Sequence, residues 1–377
     1  MRRRESVPTA SFAGWRGNNM LVVHILWTLL ALNLLVLAHE GGHYLAARKA
    51  GIKIYEFSIG FGPRLFGWRK NDIDYSVRAL FLGGFVRMAG VEETIEGGKD
   101  DEQLADDDPS NFKNKSLWAR VAVLFAGPFS NYVVAFILFA VAYAFFGVPY
   151  DIVDEQAKVG YVIAKSPAYQ SGLAVGDKIV AIDGQPIENW DAMTAIIRQN
   201  PEKKLTLTIS RNGQNLSIDI IPRQAFGQTE PYGEIGVQRE ISLKRLGFVD
   251  SIKTAGRQVW YLNVATVRVL TGKEKADFMG PVGLVSEVGQ ATQKGAGWFL
   301  QIIAAVSGSL AFFNLILIPL PLLDGGWIMI LIIEKILRRE FSQNQKAIAQ
   351  MIGLAAVLVL FVVVTWGDIS GLLQRYF

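Results

Sequence analysis

No cysteine occurs anywhere in this chain of 377 residues. Disulfides are excluded, and so are thiolate metal ligands. Any zinc must be held by histidine nitrogens and carboxylate oxygens. The absence leaves the redox compartment open. Histidine is nearly as scarce, with three in all. A surplus of one charge is missing too: the formal net charge is only +4. The electrostatic footprint of a nucleic-acid binder is therefore lacking, and no nucleic-acid partner is expected. What the chain does have is apolar mass. Hydrophobic residues make up 51% of it, and mean hydropathy is +0.26. This exceeds an ordinary soluble domain and predicts several membrane spans plus some soluble mass.

Two of the three histidines fall in His39-Glu40-Gly41-Gly42-His43. The motif closes an apolar run, Met20 to Ala38, whose only polar members are His24, Thr28 and Asn33. Residues four apart share one face of a helix, so His39 and His43 can hold a metal ion together. Glu40 lies beside them, placed to take a proton from a metal-activated water. The plain alternative is a chance pair of interfacial histidines. Against it stands the cost of an ionisable cluster at membrane depth, where such groups are usually functional.

Residues 1–19 form a polar N-terminal tail with Arg2, Arg3, Arg4 and Arg16. A basic start before an apolar run resembles a signal peptide. The run is too long for one, though, and no small-residue cleavage site follows, so it reads as the first transmembrane helix. The region 20–150 then holds two spans. Between them lies a β-region at about 52–90, where Ile73 to Arg78 alternates apolar and polar residues as a strand does. An open strand edge there could pair with an unwound substrate, or the region could be a plain hairpin packed on the helices. An acidic loop at 92–108 carries nine acidic residues and one lysine, a solvated stretch to which we assign no chemistry. The second span, Val121 to Phe146, contains Gly127-Pro128-Phe129-Ser130-Asn131. Asn131 needs a partner in apolar surroundings. It faces an active-site cavity or joins neighbouring helices.

Residues 151–224 read as a soluble insert. It has a strand at Val159 to Ile163, a glycine-rich stretch Gly172 to Ile179, and an Asp183-Gly184 turn. A helix over Trp190 to Gln199 and two alternating strands, Lys204–Ser210 and Asn215–Ile221, complete it. Residues 225–296 read as a linker with an amphipathic helix over Leu246 to Leu270, lying on the membrane or packed on the insert. The region 297–377 holds the last two spans. Gly297 to Ile333 carries a single charge, Asp324, and Pro319 and Pro321 must break so long a run. A carboxylate there suits a third metal ligand, since two histidines, one carboxylate and a water form a common catalytic zinc set. Capping of the following half-helix is the alternative. Ala347 to Gly367 is the last span.

The order of these motifs resembles the site-2 protease family, in its bacterial regulator-of-sigma-E form with one PDZ domain. The resemblance runs from about residue 20 onward. It implies a polytopic α-helical membrane protein of about four transmembrane helices, with a membrane-associated β-sheet and an inserted α+β PDZ domain. It implies Zn2+ held by His39, His43 and Asp324, with Glu40 as general base. It implies substrate-binding roles for Asn131 and Asn314. The substrates it implies are transmembrane proteins, anti-sigma factors or remnant signal peptides, cut within the lipid bilayer during regulated intramembrane proteolysis. Asn314 departs from the family pattern, standing two residues further from Pro319 than expected, and two residues turn a helix by about 200°. Trp327 also departs, where many relatives carry histidine.

Charge predicts orientation. Arg48, Lys49, Lys53, Arg64, Arg69, Lys70, Arg78 and Arg87 follow the first span, and Lys335, Arg338, Arg339 and Lys346 precede the last. Both sets face the cytoplasm by the positive-inside rule. The active site then lies toward the cytoplasmic side of a bacterial inner membrane and the PDZ domain lies outside. Arg2 to Arg4 oppose this. Two other functions compete: a catalytically inactive chaperone or adaptor that uses the PDZ domain, and a metal transporter. The intact motif speaks against the first. The second wants ionisable residues in several spans, and the second and fourth have none.

Overall fold

The computed structural model describes residues 17–91, 107–150, 157–163, 165–226, 231–239, 242–273, 280–316 and 323–376. The chain divides into two compact units. One holds Met1–Phe145 and Gly247–Asp368, the other Phe146–Leu246 and Ile369–Phe377.

The first unit begins with α1 (Gly17–Lys49), of which Val22–Lys49 is long and apolar enough to cross a membrane. Ala31 and Leu35 are buried, while Leu26, Leu30 and Leu34 are exposed, as a lipid-facing stripe would be. Arg48 and Lys49 in the last turn complement the helix dipole. A long hairpin follows, β1 (Ile54–Lys70) and β2 (Ile73–Met88). Its turn residues Asn71 and Asp72 both take positive φ, the geometry that suits the twist of a two-residue hairpin turn. The hairpin then folds back on itself. Phe57 is paired with both Val86 and Tyr75, and Ser58 with both Phe85 and Ser76. The stretch 54–59 is therefore interior and 84–88 forms an edge. Inside, Glu56 accepts from Ser76 at 2.6 Å and pairs with Arg78 at 2.9 Å, so this buried carboxylate is not left alone. The second span, α2 (Leu117–Val141), starts at a Ser116 cap, runs through Pro128 and widens into a π-helical turn at Ala142–Phe146.

The second unit is mostly sheet. In order it holds β3 (Val148–Tyr150), β4 (Ala157–Val162), α3 (Pro167–Gln170), β5 (Lys178–Ile182), β6 (Gln185–Pro186), α4 (Trp190–Gln199), β7 (Leu205–Arg211), β8 (Gln214–Ile220), β9 (Arg223–Phe226), β10 (Pro231–Glu234), β11 (Val237–Arg239) and β12 (Ser242–Lys244). The main sheet runs β11-β4-β5-β7-β8, with β6 beside β5. Leu205, Leu207 and Ile209 alternate inward from β7 and meet Met193 and Ile197 of α4. Residues 225–245, read from sequence as linker, are corrected here. They supply strands: β10 pairs with β9, β11 with β4 and β12 with β3. Runs of three or four residues carry too few alternations to show a period, and two of these three pairings reach far along the chain.

The first unit resumes with α5 (Phe248–Leu270), α6 (Pro281–Lys294), α7 (Ala296–Ile316), α8 (Asp324–Leu337) and α9 (Gln343–Tyr376). The amphipathic α5 packs against α2 and α7, with Tyr132 donating to Asn263 at 2.6 Å. Helix α6 was not expected. Its start is held by Asp368 of α9, which accepts from the Gly280 and Gly283 amides at 3.2 and 2.7 Å. Among the described residues, α1, α2, α7 and α9 are four helices long and apolar enough to span a membrane. The long apolar segment does divide, α7 ending at Ile316 and α8 starting at Asp324. Pro319 and Pro321 lie outside the described residues, as does most of the acidic loop.

Candidate metal centre

His39 and His43 stand one turn apart on α1, and their Nε2 atoms are 3.2 Å apart. Asp324, the first residue of α8, brings one carboxylate oxygen to each ring. Oδ2 is 3.1 Å from His39 Nε2 and Oδ1 is 3.3 Å from His43 Nε2. Bonds of roughly 2.0–2.1 Å at tetrahedral angles put ligand atoms about 3.3 Å apart. The triangle thus fits a single zinc ion. Space is kept for it by Gly127 of α2. A Cβ there would lie 2.2 Å from His43 Nε2 and 2.8 Å from His39 Nε2. Gly42 serves the same approach, since a Cβ on it would lie 2.2 Å from the Ala126 carbonyl oxygen.

The far side of each ring sets its tautomer. His43 Nδ1 is 2.8 Å from the Val123 carbonyl. A carbonyl only accepts, so Nδ1 carries the hydrogen and Nε2 keeps its lone pair for a metal. His39 Nδ1 lies 3.4 Å from the Asn131 side-chain amide. Asn131 is 1% exposed, and its Oδ1 has no partner among the described residues. A half-turn of the amide brings that oxygen to His39 Nδ1, where it accepts and frees Nε2. Two serines hold the elements in place. Ser130 donates to the Ala38 carbonyl at 2.7 Å, and Ser307 of α7 donates to the Asn131 carbonyl at 2.8 Å.

Glu40 points along the next face of α1. Its carboxylate meets the main chain of Val86 on β2 and lies within electrostatic reach of both imidazoles and Asp324. The structure brings together four of the six residues singled out from sequence: His39, Glu40, His43 and Asp324. Asn131 stands directly behind His39. Asn314 is half-buried on α7, with its main-chain oxygen 3.0 Å from where a Gly325 Cβ would be. No hydrogen bond joins its side chain to the triad among the described residues, and the spacing to Pro319 runs outside them. Asp324 is not the cap of α8: Leu323 holds that position, and it makes no side-chain cap bond. Sequence reasoning missed Val123, which contributes only a carbonyl. It also missed the purposes of Gly127 and Ser130, although both sit in a motif already noticed.

Residues 27–360 match the family model described as Peptidase family M50. The chain is 31% identical over 363 residues to a putative zinc metalloprotease of Rhizobium meliloti, covering 91% of this chain and 96% of that one. It is 29% identical over 416 residues to the zinc metalloprotease RasP of Geobacillus kaustophilus, again 91% and 96%. It is 28% identical over 436 residues to the regulator of sigma-W protease RasP of Bacillus subtilis, covering 94% and 100%.

Proposed function

The chain belongs to peptidase family M50, and from that membership we propose that it is an intramembrane zinc metalloprotease. Its substrates are the transmembrane segments of single-pass proteins. One observation carries the reading: ligand-type atoms of His39, His43 and Asp324, from two separate helices, converge within 3.1–3.3 Å. The relatives' names, zinc metalloprotease among them, support it.

Bound at this triangle, zinc supplies a Lewis acid that polarises a carbonyl oxygen and acidifies a water. His39, His43 and Asp324 hold the ion. Asn131 and Val123 fix the two rings rather than touch the substrate. Glu40 takes the water's proton and delivers it to the departing nitrogen. The substrate helix hides its peptide bonds in its own hydrogen bonds, so it unwinds locally before attack. The edge of β2 at 84–88 compensates the lost bonds, which are costly to leave unmade in lipid. Asn314, close to the start of α8, is kept as a substrate contact.

The finer assignments are part of the same proposal. Anti-sigma factors or remnant signal peptides are the substrates, in keeping with a relative named for sigma-W regulation. The second unit is a PDZ domain over 151–224, completed by later strands, that filters or docks proteins already trimmed outside. The Asp183-Gly184 turn, with positive φ at both residues, supports that reading. The site faces the cytoplasmic side of a bacterial inner membrane. The test pairs two variants with a model transmembrane substrate in detergent. Glu40→Gln retains zinc and loses cleavage. Asp324→Asn loses zinc. Undiminished cleavage by Glu40→Gln removes Glu40 from the mechanism, and unchanged zinc in Asp324→Asn removes Asp324 from the ligand set.

A further inference from the structure

Three polar residues interrupt the apolar first span, and the mechanism uses none of them. Thr28 turns back to the His24 carbonyl at 2.8 Å, an ordinary way to settle a hydroxyl within a helix. Asn33 does more. Its Nδ2 donates to Leu29 O at 2.8 Å and also to Phe81 O on β2. Its Oδ1 accepts from the Gly83 amide at 3.3 Å. Both donors and the acceptor of the amide are thereby engaged. A carbonyl and the amide two residues later are what a neighbouring strand residue would take from a parallel ladder. The Asn33 side chain thus stands beside β2 as a strand one residue long.

Seven residues beyond Asn33 is Glu40. Two helical turns separate them, so they share one face of α1. Glu40 meets the Val86 main chain, and a Cβ on Gly84 would lie 3.7 Å from Glu40 Cγ and 2.6 Å from the Ser58 carbonyl oxygen. One stripe of α1 therefore holds β2 at two places. Asn33 grips residues 81–83, and Glu40 lies against 84–86. The edge strand leaves one grip and enters the other within three residues.

We propose that Asn33 is a positioning residue, fixing the β2 edge along α1 and so selecting which peptide bond of the substrate is cut. This rests on the protease reading above. A strand paired to an edge advances about 3.3 Å per residue. An edge held loosely lets the paired substrate slip by a residue or two, which presents a different bond to Glu40 and the metal triangle. A plain tether, present only because a buried amide needs partners, would lower the amount of folded enzyme and leave the cut bond unchanged.

The experiment uses the full chain in detergent, a transmembrane substrate, and mass spectrometry of the fragments. Asn33→Leu removes the grip. Asn33→Asp can accept from Gly83 but cannot donate to Phe81. Both are expected to keep zinc and to exchange the Gly83 amide faster. Asn33→Leu lowers kcat/KM about tenfold, the weight of one backbone hydrogen bond, and spreads cleavage over bonds one or two residues either side of the original. Asn33→Asp spreads it less. Cleavage at one unchanged bond in both variants, at any rate, overturns the proposal and leaves Asn33 a tether. If the unsubstituted enzyme cuts no transmembrane substrate, the protease reading fails first and this one with it.

Discussion

At Gly127 a single hydrogen in place of a methyl group keeps room for the metal. Alanine there would put its Cβ 2.2 Å from His43 Nε2, inside any real contact distance, and helix α2 cannot retreat while Ser130 holds Ala38 and Ser307 holds Asn131. Gly127→Ala should therefore fold, since alanine favours a helix over glycine, yet bind zinc at least about a hundredfold more weakly and lose cleavage. Zinc stoichiometry after gel filtration checks this. A variant with full zinc occupancy would show that the rings move aside without cost. Asp324 teaches a related point. A first-turn acid at a helix start is ordinary, and only its two oxygens facing two imidazoles give it a different purpose.

Among the elements, the turn between α3 and β5 is held by a charge that has no part in the chemistry. Asp177 is 1% exposed. It accepts from the Ala174 amide at 2.7 Å and takes two bonds from Arg211 of β7, each 2.7 Å. Burial pushes its carboxyl pKa up, but the Arg211 and Ala174 bonds more than offset this and hold it below the ordinary carboxylate value. Because the folded value lies below the unfolded one, the contribution is complete at neutral pH. It fades as pH falls from the unfolded value through the folded one. Asp177→Asn should destabilise the second unit at pH 7 by roughly 2 kcal/mol, discounted for the partly exposed guanidinium. At strongly acid pH it should match the unsubstituted chain. Hydrogen exchange at β5 and β7 amides, followed against pH, measures both. A pH-independent difference would mean that the loss comes from shape rather than charge.

The whole molecule carries its own test of orientation, because it has no cysteine. Lys203→Cys lies in the second unit and Asn344→Cys at the start of α9, and both positions are exposed. A membrane-impermeant maleimide added to intact cells should label Lys203→Cys at once, and Asn344→Cys only after permeabilisation. The reverse pattern would mean that Arg2 to Arg4, and not the two interior basic loops, set the topology. At this scale function needs both kinds of segment. The spans bury a site that water must still reach, and a sheet edge offers hydrogen bonds that lipid cannot.

The sequence by itself determined the spans, the histidine pair and the break in the long apolar run, and it singled out Glu40 and Asp324 for the roles proposed above, because each depends on spacing along one stretch or on charge in an apolar run. It also placed strands at Lys204–Ser210 and Asn215–Ile221, each within one residue of the observed Leu205–Arg211 and Gln214–Ile220, because their alternation is long enough to count. Tertiary structure alone decided how α1 and α8 face each other, which carbonyl steers His43, why Gly127 must lack a side chain, and that Pro231–Glu234, Val237–Arg239 and Ser242–Lys244 are strands. Those facts live in contacts between segments far apart in the chain. A residue's own neighbours in sequence say nothing of the atom that will stand against it.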